Sequence, residues 1–116
     1  MRAAQNGHLQ ASRLLLQAGA DVNAQDKGGY SVLLVAASVA NRDILRLLLQ
    51  SGAEINAQDP DLGWSALIWS AREGHQENIQ VLLEYGANQV LTDSSGNTAL
   101  DWAIKKQHPQ IVEMLR

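Results

Sequence analysis

Histidine is the side chain best suited both to bind a transition metal and to move a proton near neutral pH. His8, His75 and His108 are therefore the first residues to weigh. They occupy equivalent places in a repeated sequence. Neighbouring helices pack about 8–10 Å apart, so equivalent side chains on adjacent units lie about that far apart, whereas zinc needs every ligand nitrogen at about 2.0–2.1 Å. One ion cannot gather all three, and the expectation is structural histidines bonded to local backbone. Asp26, Asp59 and Asp93 recur in the same way. Paired and desolvated, such carboxylates could act as acids or bases. At the tip of a turn, their simpler role is to accept the backbone N–H two residues on. Serine, histidine and aspartate are all present, but there is no Gly-x-Ser-x-Gly elbow. Gly28-Gly29 lacks the Gly-Lys-Ser/Thr ending of a phosphate loop. The expectation is no catalytic residue, no metal and no cofactor.

The elements that would position these residues come from repetition. Gly-Ala stands at 19–20, 52–53 and 86–87, and Asn-Ala-Gln-Asp at 23–26 and 56–59. Apolar triplets at 14–16, 47–49 and 81–83 precede each Gly-Ala. A fixed period of this size means stacked supersecondary units, none able to bury its apolar face alone. Residues 26–58 form a complete unit. Ser31 can accept from the orphan amides at a helix start, and Val32, Leu33, Val35, Ala36 and Ala37 make a short helix whose alanines let a neighbour come close. A second helix begins at Asn41 or Arg42, with Ile44, Leu45, Leu47, Leu48 and Leu49 at i, i+3, i+4 spacing. Gly52 follows it, where a left-handed residue is needed. Gly63 turns the chain back, so the connection is a hairpin-like loop.

These residues resemble an ankyrin repeat. The family's helix-opening Thr-Pro-Leu-His reads Ser31-Val32-Leu33-Leu34, Ser65-Ala66-Leu67-Ile68 and Thr98-Ala99-Leu100-Asp101 here; no unit keeps the proline or the histidine. Its Gly-His appears as Gly7-His8 and Gly74-His75, and weakly as Gln107-His108. Its Gly-Ala-Asp-Val-Asn-Ala is complete at 19–24 and conservative at 52–57. The resemblance covers the whole chain and implies an all-α solenoid of four stacked helix pairs joined by finger-like loops. It implies protein recognition through a concave face built from loop tips and first-helix ends. It also makes loop asparagines such as Asn23 and Asn56 hydroxylation candidates, each with a leucine eight residues earlier (Leu15 and Leu48).

Size and composition agree. A chain of 116 residues with 46% apolar content is one domain with a useful core. A net charge of −3 argues against a nucleic-acid or anionic-membrane binder. The absence of cysteine fits a reducing compartment. With no membrane span and no signal-peptide core at Met1, the expectation is an intracellular protein, cytoplasmic or nuclear, and monomeric. It would be a single ankyrin domain: a partial unit at 1–25, units at 26–58 and 59–92, and a closing unit at 93–116. The third unit gains one residue through Asp59-Pro60-Asp61-Leu62-Gly63. Its helices are predicted near 65–73 and 76–85. In the closing unit, Pro109 suits a first helical turn, and Asp101, Lys105, Lys106, Glu113 and Arg116 supply the polar face of a terminal repeat.

By resemblance, the variable, partner-facing positions fall on Lys27, Gly28 and Tyr30, then Pro60, Asp61, Leu62 and Trp64, then Ser94, Ser95 and Asn97. On the helix ends they are Ser38, Val39, Arg72, Glu73 and Lys105. Trp69 and Trp102 align with Val35 and read as core filler. Trp64 aligns with Tyr30 and Asn97 and reads as an exposed anchor beside Tyr30, or as a shield over the longer tip. Asp21, Asp26, Glu54, Asp59, Asp61 and Asp93 give the loops a negative field against Lys27, so the partner's contacting segment is expected to be basic. A regulatory or scaffolding fragment of a larger signalling protein, or an engineered binding scaffold, would carry the same pattern.

Overall fold

The structure is a computed structural model that describes residues 22–25 and 27–116. Residues 1–21 of the expected partial first unit, with His8 and Asp21, fall outside the described residues, and so does Asp26. Six helices follow in order among the described residues: α1 (Val32–Ala37), α2 (Arg42–Gln50), α3 (Ala66–Glu73), α4 (Gln76–Glu84), α5 (Ala99–Lys105) and α6 (Pro109–Leu115). Each odd-numbered helix pairs with the even one after it. Like helices then stack, α1 on α3 on α5 and α2 on α4 on α6. The product is a two-layered all-α solenoid with no named strand among the described residues.

The helices start where local chemistry tells them to. Ser31, Ser65 and Thr98 each accept the N–H three residues on. Thr98 adds a full capping box, with its own N–H donated to Asp101 Oδ2 at 3.0 Å. Asp101, expected on the polar outer face, is thus tied to its own helix start. Asn41 caps α2 by accepting from Ile44 N. Pro109 sits in the first turn of α6. Gly52 and Gly86 follow α2 and α4 at φ +95° and +82°. Gln107, in the register of Gly74, is held at φ +59°.

The core is one continuous spine. Leu33, Leu34, Ile44, Leu45 and Leu48 run into Leu67, Ile68, Ile79, Val81 and Leu82, and then into Ala99, Ala103, Ile111 and Leu115. The helices are too short to be stable alone, so inter-unit burial holds them. Ala37 and Ala71 are fully covered by the next unit, while Ile104 in the same register is 55% exposed.

Polar hooks cross the first interface. The carbonyls ending α1 and its turn are taken by side chains of the following pair: Ala37 by Ser70 Oγ at 3.3 Å, Ser38 by His75 Nε2 at 3.3 Å and Val39 by Asn78 Nδ2 at 2.8 Å. Ala37 O and Ser38 O are carbonyls that a helix end otherwise leaves unpaired, while Val39 O also accepts from Asn41 N at 3.0 Å. At the next interface the hook is His108 Nε2 on Arg72 O, 3.2 Å. The expected histidine–backbone bond is therefore present, but it spans units rather than staying local. Asn78 is the surprise: it occupies the register of Ile44 and Ile111, fully buried, with Oδ1 unpartnered.

Candidate interaction surface

The loops form three adjoining fingers. Gln25 bridges to Ser31 and Gln58 to Ser65, which closes the first two. In the second finger, Asp59 Oδ1 accepts from Asp61 N and Leu62 N, and Oδ2 accepts from Trp64 N at 3.1 Å. In the third, Asp93 Oδ1 accepts from Ser95 N and Asn97 N, both at 2.9 Å. Both aspartates use the turn chemistry expected of them, and both are buried.

Neighbouring fingers are joined at several points. Tyr30 Oη donates to Asp61 Oδ2 at 3.4 Å, and Ser94 N donates to Leu62 O at 2.9 Å. Gln58 Nε2 spans both strands of contact, donating to Gly63 O at 2.8 Å and Thr92 O at 2.9 Å. A Cβ on Gly29 would stand 2.7 Å from Pro60 Cγ, so the first two tips touch. The structure thus brings the predicted tip residues Tyr30, Pro60, Asp61, Leu62 and Ser94 into one continuous strip. Lys27, Gly28, Pro60, Asp61, Leu62, Ser94 and Ser95 are exposed; Tyr30 and Asn97 are half-buried.

Trp64 departs from its expected place. It is only 8% exposed, and its indole N–H donates to Asp93 Oδ2 at 3.1 Å. The Trp102 indole donates to that same oxygen at 2.8 Å. Trp64 lies edge-to-face on Trp69, centroids 4.5 Å apart, and on Trp102 at 5.8 Å. The extra residue in the second finger turns the ring inward beneath the tip, so it shields and anchors the loop instead of facing a partner. Burial alone would raise the Asp93 carboxyl. The N–H donors of Asn97, Trp102, Ser95 and Trp64 together outweigh it and hold the group below its ordinary 3.8.

The first-helix layer presents two rows beside the fingers. Val35, Trp69 and Trp102 form one, with Val35 41% exposed and the two tryptophans half-buried. Ser38, Arg72 and Lys105 form the next, flanked by Val39, Glu73 and Lys106. The Arg72 guanidinium carbon lies 4.8 Å from the Trp64 ring centre and 5.5 Å from that of Trp102. Its Nη1 reaches Glu73 at 2.8 Å. Lys105 Nζ and Lys106 Nζ stand 5.5 and 5.9 Å from the Trp102 ring, and Lys105 also donates to Asn97 Oδ1 at 2.9 Å. Sequence reasoning named Arg72, Glu73 and Lys105 as partner-facing, assigned Lys106 only to the polar outer face and missed this aromatic clustering. The shared register of Trp69 and Trp102 was its only sign.

Asn23 and Asn56 tie successive loops together. Asn23 Oδ1 accepts from Glu54 N at 2.7 Å and its Nδ2 donates to Gly52 O at 3.2 Å, while Asn56 Oδ1 accepts from Asn88 N at 2.8 Å. Among the described residues no group of three or more metal-ligating side chains converges, and no helix is long and apolar enough to cross a membrane. A 520 Å³ hollow lined by Ala40, Gly74, His75, Gln76, Glu77 and Asn78 opens beside the α3–α4 turn.

Comparison with known proteins agrees with the geometry. A family model of ankyrin repeats in three copies matches residues 1–59 and 33–116. The ankyrin repeat protein nuc-2 of Neurospora crassa is 35% identical over 113 residues, 97% of this chain and 11% of its own length. Human palmitoyltransferase ZDHHC13 is 31% identical over 103 residues, 89% of this chain and 17% of that protein. The human NAD-capped RNA hydrolase NUDT12 is 42% identical over 53 residues, 46% of this chain and 12% of that protein. The chain thus spans less than a fifth of each of these relatives. Ankyrin repeats generally mediate protein–protein interaction and are non-catalytic.

Proposed function

Because this chain belongs to the ankyrin-repeat family, we propose that it recognises a protein partner through its loop tips and first-helix layer. The observation that carries this reading is the pairing of an exposed strip of joined fingers with the row Val35, Trp69 and Trp102 beside it. The tips contribute Lys27, Gly28, Tyr30, Pro60, Asp61, Leu62, Ser94, Ser95 and Asn97. The helix ends contribute Ser38, Val39, Arg72, Glu73 and Lys105. Trp64 supports them from below. Inter-finger bonds order the tips before any partner arrives, which lowers the entropy cost of binding. A contact of about 800 Å² per side fits a surface of this extent.

The finer features follow from charge and from the relatives. Asp59 and Asp93 are buried and bonded, which leaves Glu54 and Asp61 as the described loop acids facing solvent. A basic segment of the partner meets this part of the surface. The relatives are several times longer than this chain, and the domain acts as the recognition module of a larger intracellular protein, itself monomeric.

The test is capture of a partner from the source cell with face-specific variants. Val35→Arg on the first-helix layer and Glu54→Lys on the loops should lose the captured protein at unchanged thermal stability. Arg42→Glu on the second-helix layer should retain it. Equal retention by all three would overturn the reading.

A further inference from the structure

We propose that the Trp69–Arg72–Trp102–Lys105–Lys106 platform receives an extended, acidic segment of the partner, with carboxylates about three residues apart. This rests on the first-helix layer being the recognition face and specifies which chemistry that face takes at its α5 end.

The argument is one of unmatched donors. Lys105 and Lys106 are exposed, and neither has a carboxylate within ion-pair distance among the described residues. The acids that could serve these donors are already committed. Asp93 holds two indole and two backbone N–H groups. Asp101 is locked to Thr98 N, and Glu73 to Arg72 Nη1.

The second-helix layer behaves differently. There, the described arginines all have carboxylates: Arg42 meets Glu77 at 3.5 Å, Arg46 meets Glu84 at 3.1 Å and Arg116 meets Glu113 at 3.2 Å. The first-helix layer thus has a surplus of donors and its opposite face does not. Carboxylates are the protein acceptors that match both a guanidinium and ammonium groups. The spacing comes from geometry. Stacked helices lie about 8–10 Å apart, and an extended chain rises about 3.3 Å per residue. Three residues therefore carry one carboxylate from the Arg72 position to the Lys105 position, with intervening side chains against the tryptophan rings.

The experiment titrates the full chain with three fluorescein-labelled peptides of Gly-Ser background carrying Glu, Gln or Lys at every third position, read by anisotropy at low salt. The Glu peptide should bind, the Gln and Lys peptides should not, and added salt should weaken binding. Lys105→Glu combined with Lys106→Glu should lower affinity at least tenfold with only a small shift of the melting curve, since both side chains are exposed and only the Lys105–Asn97 hydrogen bond is lost. Arg42→Glu should leave it within twofold. Equal binding of the Gln peptide, no effect of the double reversal, or displacement of the Glu peptide by a tighter-binding oligouridylate would each overturn the proposal. Failure here is separable from failure of the broader reading. If the native partner is lost with Val35→Arg but kept by the double reversal, the platform is wrong and the recognition face stands. If both variants keep it, the face is wrong as well.

Discussion

The indole N–H of Trp64 reaches across 29 residues of chain to Asp93 Oδ2, 3.1 Å away. That bond fastens the second finger to the third. It makes this tryptophan part of the scaffold that orders the tips. Trp64→Ala should therefore reduce stability by roughly 3–5 kcal/mol, the usual range for a buried large aromatic. Trp64→Phe keeps most of the volume and loses the donor, so it should cost only about 1–2 kcal/mol. Urea unfolding followed by circular dichroism measures both. A Trp64→Ala protein of unchanged stability would refute the scaffold role.

Asp93 predicts the acid limit of the fold. Its folded-state titration is depressed below 3.8. The stabilisation is thus fully present above the unfolded value and disappears as pH falls through the lower folded value. Stability should decline below about pH 4. Asp93→Asn should be destabilised at pH 7 by on the order of 2–3 kcal/mol, because a charged acceptor of four N–H groups is removed. It should also show a shallower decline with acid. Denaturation midpoints at pH 7, 4 and 3 for both proteins give the comparison.

Gln107 sits at φ +59°, the described non-glycine residue with positive φ. The left-handed region costs an ordinary L-residue about 1–2 kcal/mol. Gln107→Gly should raise stability by about 1 kcal/mol, net of glycine's greater freedom in the unfolded chain. A fall in the denaturation midpoint would contradict it.

Gly74 has the complementary constraint. It holds φ +79°, and a Cβ there would lie 2.7 Å from His108 Cε1. Gly74→Ala should cost about 2 kcal/mol or more, because the strained backbone adds to displacement of the ring that holds Arg72 O. Gly52→Ala and Gly86→Ala meet nothing within 4 Å and should cost only about 1 kcal/mol. Parallel urea melts of the three variants test this ordering.

The sequence by itself determined what depends on neighbours along the chain. The caps at Ser31, Ser65 and Thr98, the glycine after α2 and the i+2 turn bonds of Asp59 and Asp93 are all local. Repetition then implies the stack, since a short helix pair can bury its apolar face only against its copy. Only the tertiary structure decided which side chains cross between units. His75 finds a carbonyl 37 residues back and Trp64 a carboxylate 29 residues on. Arg72 settles over two rings from different units. Such partners are set by inter-unit spacing and by one inserted residue in a finger. A change of this kind redirects a side chain without altering the pattern of residue types that a linear reading uses.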